Sequence, residues 1–378
     1  MKKAILISCF DWYEARLKPI KEILENEYNV SILTSDFEHI SKNRIKNRID
    51  ACEYIHVPSY KKNVSIKRIF SHIVFGKKVG KRINKICPDL IYLLLPPNNI
   101  ARYCLDYKKK HPEVKYIVDI IDMWPESMPI HRLENTIPYK YWTNFRNQSI
   151  QQADVVMTEC ELYQEKLLKD IPRDYKVLYL YKNENDKLQR YVFDYIEKGC
   201  IKHRDYVKLG YLGSINNIID IDGIEKIVAL LSKKKRVVIE VIGIGESCDE
   251  LITKLKNTGA DVHYHGAIFE EIKKAEILMQ CDYGINMMKK EVSVGLTIKS
   301  IDYFSYGLPI INNIQNDTWN FVEKYNLGVN VGDNLEDVLE KIINNEEYSK
   351  QNVLKFYFDH FTETSYKIKL LENLNSVV

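Results

Sequence analysis

Short apolar runs alternate along the chain with longer stretches whose apolar residues recur every three or four positions. The short runs predict strands at Ala4–Ser8, Asn29–Thr34, Glu53–Val57, Leu90–Leu95, Tyr116–Ile121, Val155–Thr158 and Val177–Leu180. The longer stretches predict helices such as Leu17–Glu27, Ile66–Ile86, Asn99–Lys110 and Ile150–Lys169. Alternation of this kind predicts a parallel sheet covered by helices on both faces. The pattern then restarts. Tyr206–Leu212 reads as a strand ending at Gly213-Ser214, Asp222–Ser232 as a helix, and Val237–Gly243 as a second strand followed by a helix over Asp249–Asn257. Asp261–His265, Tyr283–Met287, Pro309–Asn313 and Gly328–Val331 continue the series. The expected architecture is therefore α/β, with two Rossmann-like domains over residues 1–182 and 206–346. The polar segment 183–205 reads as a linker. Residues 347–378 read as a helical, aromatic-rich tail that packs back on the first domain. Two such domains are expected to face each other across a cleft, where open α/β sheets bind ligands.

The length of 378 residues, with 45% hydrophobic and 28% charged residues, agrees with a two-domain globular protein. A net charge of +3 does not suggest nucleic-acid binding. The charge is uneven, however. From Lys42 to Lys85 there are thirteen Lys or Arg against Asp50 and Glu53. Within that segment Ile66, Ile69, Phe70, Ile73 and Val74 share one helix face flanked by basic residues, a pattern suited to an anionic lipid surface or simply to a solvated face. The eight cysteines stand singly without metal-ligand spacing and read as reduced thiols of a cytosolic protein. The apolar start is too short for a signal peptide, and no apolar run approaches membrane-spanning length.

The most informative segment runs from Gly295 through Leu296, Thr297, Lys299, Asp302 and Tyr303 to Gly307-Leu308-Pro309 and the apolar Ile310-Ile311. A glycine-led turn at Val294–Thr297 opening a helix offers backbone N–H groups to an anion such as a diphosphate, with Lys299 adding a positive charge. Asp302, one turn later, is placed to accept from ribose hydroxyls. The plainer alternative is a loop, an amphipathic helix and a capping glycine.

This segment resembles the donor motif of GT-B glycosyltransferases, in particular the retaining family 4 group with its Lys-x-x-acid-Tyr variant. In that resemblance Asp302 falls on the second acidic position of the motif, while the first falls on Val294. The resemblance implies further donor contacts from Gly213, Ser214 and Asn216 after a strand, from Gly243, and from His265 and Ala267 beside the nucleobase. The Arg and Lys that often follow the Gly-Ser turn are absent from Asn217–Asp220.

In the first half, Asp119 and the run Asp122-Met123-Trp124-Pro125-Glu126-Ser127 follow a predicted strand. They resemble an Asp-x-Trp-Pro-Glu-Ser segment of some of these transferases. Asp122, then Glu126 and Asp119, are the catalytic candidates, since an acid there polarises an acceptor hydroxyl or steadies a cationic transition state. Asp122 reads equally as the cap of a helix starting near Pro125. Acceptor candidates are Asp11, Trp12, Tyr13 and Arg16 after the first strand, with Trp124 and Glu159. Arg16 is the preferred phosphate ligand because its fork matches two oxygens.

The expected function is retaining transfer of a sugar from a nucleoside diphosphate, UDP ahead of GDP, to a polyprenyl-diphosphate-linked oligosaccharide at the cytoplasmic face of a membrane. No Asp-x-Asp stands in strand context, so neither a metal nor another cofactor is expected. The alternatives are a non-catalytic partner subunit and a nucleotide-sugar 2-epimerase.

Overall fold

The computed structural model describes residues 1–10, 13–63, 65–128, 130–183, 185–199, 205–344, 348–375 and 377, apart from the side chains of residues 14 and 131. The chain divides into two compact units, Met1–Leu180 with Tyr366–Val378, and Tyr181–Ser365.

The first unit holds seven parallel strands: β1 (Lys2–Ile7), β2 (Tyr28–Ser35), β3 (Cys52–Ile55), β4 (Leu90–Leu95), β5 (Lys115–Ile120), β6 (Val155–Thr158) and β7 (Lys176–Val177). Their order is β3-β2-β1-β4-β5-β6-β7. Every residue of β4 is buried, as its unbroken Leu-Ile-Tyr-Leu-Leu-Leu run requires of a strand covered on both faces. The helices Ile66–Ile86 and Asn99–Lys110 pack closely because Gly76 and Gly80 leave room for the Tyr103 ring. A Cβ at these glycines would come within 2.9 and 2.8 Å of it.

The second unit holds six parallel strands: β8 (Tyr206–Leu212), β9 (Arg236–Ile242), β10 (Asp261–Gly266), β11 (Tyr283–Asn286), β12 (Ile310–Asn312) and β13 (Gly328–Asn330), in the order β10-β9-β8-β11-β12-β13. Each sheet is doubly wound. The strand order reverses between β1 and β4, and again between β8 and β11, leaving a crevice at the carboxyl ends of each pair.

Beyond shifts of a few residues at element ends, three larger differences separate the structure from the sequence reading. The helix expected over Ile150–Lys169 is two helices, Ile137–Gln152 and Glu161–Leu168, separated by β6. The strand expected at Val155–Thr158 is present and pairs with β5, so the helical stripe read across it does not run through. The segment expected to be a linker contains the helix Asp186–Glu197, which buries Leu188, Val192 and Ile196 at four-residue spacing and belongs to the second unit. Its charged outer face disguised it. Residues 200–204 of that expected linker lie outside the described residues. The tail is not one block either. The helix Lys350–His360 belongs to the second unit, where Phe356 lies edge-on to Phe304 at 5.4 Å and packs on Phe321 at 5.2 Å. From Tyr366 onward the chain clusters with the first unit, and Asn373 Nδ2 donates to the Val177 carbonyl at 3.1 Å.

Candidate active site

In the second unit, β8 runs into the Gly213-Ser214 turn, and β11 leads through a loop to the helix Ile298–Ser305. Tyr303 ties these parts together. Its hydroxyl accepts from Leu212 N at 2.8 Å and donates to the Ile285 carbonyl at 3.1 Å, while its ring fills the space where Gly284 lacks a Cβ. Thr297 caps the helix by accepting from Ser300 N at 3.0 Å. The Gly295 carbonyl is held from behind by Thr318 N at 2.9 Å and Thr318 Oγ1 at 2.6 Å. With the loop so fixed, the amides of Val294, Gly295 and Leu296 donate to no protein acceptor among the described residues.

Lys299 stands at the centre of this arrangement. Its stem is partly exposed, but its Nζ is closed off from solvent and has no hydrogen-bond partner. The Nζ lies 4.1 Å from the centre of the Tyr211 ring. Burial pushes its pKa down to about 7. Gly213 is beside it, since a Cβ there would stand 3.2 Å from Lys299 Cε at a φ of +113° that glycine tolerates. Tyr211 in turn donates its hydroxyl to the Ser214 carbonyl at 2.9 Å. An unpartnered ammonium, free helix-start amides and a glycine turn thus meet at the switch point of the sheet, a constellation suited to an anion.

The other donor candidates sit in several settings. Asp302 accepts from Lys182 Nζ at 2.7 Å, and Lys182 also pairs with Glu271 at 2.9 Å. His265 Nε2 is 2.6 Å from Glu240, which also meets His263 at 3.1 Å and Lys208 at 2.9 Å. Burial alone would raise the Glu240 carboxyl, but bonds from His265, Lys208 and His263 bring it down to about 2. Ala267 is exposed just past β10. Gly243 has a packing role, because a Cβ there would sit 2.0 Å from the Gly213 carbonyl oxygen. Asn216 is spent in part on its own turn, accepting from Ile218 N at 3.2 Å.

In the first unit the catalytic candidates separate. Asp119 and Arg16 are both fully buried and form a two-pronged pair at 2.7 Å in each arm, with the Tyr92 hydroxyl donating to the same carboxylate at 2.7 Å. Arg16 is therefore not a surface phosphate grip, and Asp119 does not project from the sheet edge; each compensates the other's charge in the core. Glu126 is likewise taken, by both terminal nitrogens of buried Arg146 at 2.7 Å. Asp122 stays half-buried at the carboxyl end of β5. It accepts from Trp124 Nε1 at 2.6 Å and Ser127 Oγ at 2.5 Å, and no helix starts at Pro125, so it is not a helix cap. Burial raises its pKa despite these bonds. Trp124 is buried and supports this turn, its carbonyl accepting from Asn98 at 2.7 Å and Arg146 at 3.0 Å. Glu159 is half-buried just beyond β6, and its amide donates to the Ile120 carbonyl at 3.0 Å. Tyr13 starts the turn Tyr13–Leu17. Asp11 and Trp12 lie outside the described residues.

Sequence reasoning missed the residues that set this geometry: Tyr211 beneath Lys299, Lys182 on Asp302, Glu240 on His265, and Thr318 on Gly295. Each lies far along the chain from its partner, so no local spacing marks it. Among the described residues, no group of three or more His, Cys, Asp or Glu is placed to hold a metal ion.

Two doubly wound parallel units in one chain make the GT-B fold of glycosyltransferases. The particular resemblances are to solved structures. The chain is similar to the lipopolysaccharide outer core galactosyltransferase WaaB at TM-score 0.67 and 12% identity, covering 100% of both chains. It is similar to sucrose-phosphate synthase from Thermosynechococcus elongatus at TM-score 0.66 and 10% identity, covering 100% of this chain and 99% of that one. It is also similar to HepE of Anabaena in complex with UDP, at TM-score 0.64 and 13% identity over 100% of both chains. No family model and no curated protein matches the sequence.

Proposed function

We propose that this chain is a retaining glycosyltransferase that takes a sugar from a nucleoside diphosphate, UDP in preference to GDP, and builds a lipid-linked oligosaccharide of a surface glycan. The observation that carries this reading is the unpartnered Lys299 ammonium beside Gly213 and the open amides of residues 294–296. A diphosphate there receives charge-assisted hydrogen bonds from the open amides, and an ion pair from Lys299 once its Nζ turns from the Tyr211 ring towards the ligand. HepE, of the same fold, has been solved with UDP and with UDP-glucose, which favours UDP as the nucleotide. Charge on the leaving diphosphate is met by Lys299 and the amides, so turnover is expected without added metal and in the presence of a chelator.

The helix Ile66–Ile86 supports work at a lipid surface. Its apolar stripe points outward: Ile66 is 86% exposed and Ile69, Phe70 and Ile73 are exposed beside it, whereas Arg68 and His72 face inward. Among the described residues no helix is long and apolar enough to cross a membrane, so attachment by this face and its lysines is the reading we adopt.

Isothermal titration with a panel of UDP- and GDP-sugars, followed by an assay of acceptor-dependent UDP release, tests the proposal. Binding without release in any acceptor extract points to the epimerase. Failure to bind any nucleotide sugar points to the non-catalytic subunit, a reading favoured by Val294 standing at the first acidic position of the motif.

A further inference from the structure

The first unit contains a pocket of about 210 Å³ between the start of the helix Ile66–Ile86 and the segment leading into the helix Ile137–Gln152. Its walls include Ile69, Leu133 and Trp142, with Arg68, His72 and Trp124 on the inner side. Arg68 is only 5% exposed. Its Nη1 donates to the Asn63 carbonyl at 2.8 Å and the nearby Tyr60 hydroxyl helps to steady its charge, but its Nε and Nη2 make no hydrogen bond of normal geometry. The guanidinium lies 4.3 Å from the Trp124 ring centre. Among the described residues no carboxylate forms an ion pair with it; the nearby Asp122 carboxylate is engaged by Trp124 and Ser127.

A guanidinium does not shed its proton in a protein, so burial leaves a permanent charge with two unmet donors. The neighbouring imidazoles do not help. Burial first, and then Arg68 itself, hold His72 down to about 3 and His39 to about 4, so both are neutral at pH 7. His72 Nε2 is also without a partner. A buried cation and a buried imidazole nitrogen, both unmet, mark a place prepared for an acceptor that arrives with a ligand. The rest of the wall is mainly apolar, interrupted by Asn63, Ser65, Thr136 and Tyr139, and the exposed Ile66, Ile69 and Phe70 lie on the same helix, with Lys61, Lys62 and Lys67 exposed nearby.

We propose that this pocket receives the phosphate end of an amphiphile, with phosphate oxygens on Arg68 Nε and Nη2 and its hydrocarbon along Ile69, Leu133 and Trp142. This rests on the acceptor-side part of the function proposed above and moves the phosphate-gripping role from the core residue Arg16 to Arg68. The shared chemistry is a phosphate joined to an apolar chain, whether presented by a bilayer or free in solution.

The test is titration of the full-length chain with inorganic phosphate, geranyl phosphate and geraniol, and with geranyl phosphate in neutral phosphatidylcholine vesicles. Geranyl phosphate is expected to bind at least tenfold more tightly than either inorganic phosphate or geraniol. Free and vesicle-borne geranyl phosphate distinguish a ligand taken from solution from one taken from the bilayer; binding in neither form overturns the proposal. Arg68→Met is expected to lose at least tenfold for geranyl phosphate, to leave geraniol unchanged, and to melt no lower than the parent, because a buried unpaired charge has been removed. Leu133→Asp, at an exposed rim position, is expected to weaken geranyl phosphate and leave inorganic phosphate unchanged. Equal binding of geraniol and geranyl phosphate, unchanged binding in Arg68→Met, or an Arg68→Met chain that no longer folds would each overturn it. UDP is titrated in parallel. A chain that fails to bind UDP but shows the geranyl phosphate pattern defeats the donor reading alone.

Discussion

Lys299 Nζ lies 4.1 Å from the centre of the Tyr211 ring and meets no hydrogen-bond acceptor. Burial holds its pKa at about 7, so near neutrality this lysine is in part uncharged. A diphosphate beside it favours the ammonium, and binding therefore takes up a proton whenever the pH lies above 7. Donor affinity is expected to be flat well below pH 7 and to weaken by up to about tenfold per pH unit above it. Titration of UDP at pH 8 in two buffers of different ionisation heat should show uptake approaching one proton per site; no uptake would remove Lys299 from the phosphate. Lys299→Met should flatten the profile and weaken UDP binding by roughly 10- to 100-fold, the worth of a charge-assisted hydrogen bond. The ligand-free chain has the converse dependence. The folded pKa lies below the unfolded one, so the unfolded chain binds the extra proton and stability rises as pH climbs from about 7 towards the ordinary lysine value.

A row of asparagines backs the loop Val294–Thr297. Asn286, Asn312 and Asn330 end β11, β12 and β13 in register, and their side chains bond in sequence at 2.9 and 2.8 Å. Asn286 also donates to Ser300 Oγ at 3.1 Å, which reaches the Thr297 cap at 2.8 Å. Replacing the fully buried Asn312 by Leu strands donors and acceptors on both sides. We expect a loss of about 1–3 kcal/mol per stranded group in urea unfolding. The donor KM should rise more than kcat falls, because the loop loses its support while Lys299 remains. Wild-type stability and KM in Asn312→Leu would show that the row does not brace the loop.

The buried pair Arg16–Asp119 gives a stability prediction in place of a catalytic one. Asp119→Leu leaves a charged guanidinium in the core and should cost about 3–5 kcal/mol by denaturant unfolding. Arg16→Met combined with Asp119→Leu should recover much of that loss. A double variant no more stable than Asp119→Leu would mean that the pair does more than compensate charge.

These cases show what the sequence carries and what it conceals. Both Rossmann-like units were legible because runs such as Leu90–Leu95 and Arg236–Ile242 admit no other reading once helices flank them. The turn at Val294–Thr297 and the helix Ile298–Ser305 that it opens were legible because their signals are local. The pairings Arg16 with Asp119, Glu126 with Arg146, and Lys182 with Asp302 were not, since they join residues 103, 20 and 120 positions apart. A carboxylate at a strand end looks the same in sequence whether an arginine has claimed it or not. The helix Ile66–Ile86 was legible in part: its apolar stripe lies outward as that pattern suggested, but only packing shows that Arg68 and His72 on its other side face the core.

Of the three acids first considered for catalysis, Asp122 remains, because its partners are a tryptophan N–H and a hydroxyl rather than an arginine. Burial lifts its pKa, which favours proton exchange with an acceptor hydroxyl closer to neutral pH. Asp122→Asn preserves size and one acceptor oxygen, so the turn Asp122–Ser127 should survive with little change in melting temperature. Turnover is expected to fall about 10²- to 10⁴-fold, the usual weight of one acid–base group, while the Kd for UDP stays unchanged because Lys299 and its loop belong to the second unit. Glu126→Gln should do the reverse, lowering stability by leaving Arg146 half-compensated while leaving kcat within a few fold. Acceptor-dependent UDP release, measured beside thermal unfolding for both variants, separates the two roles. Full activity in Asp122→Asn would send the search for the catalytic group elsewhere on the carboxyl edge of the first sheet, with Glu159 next in line.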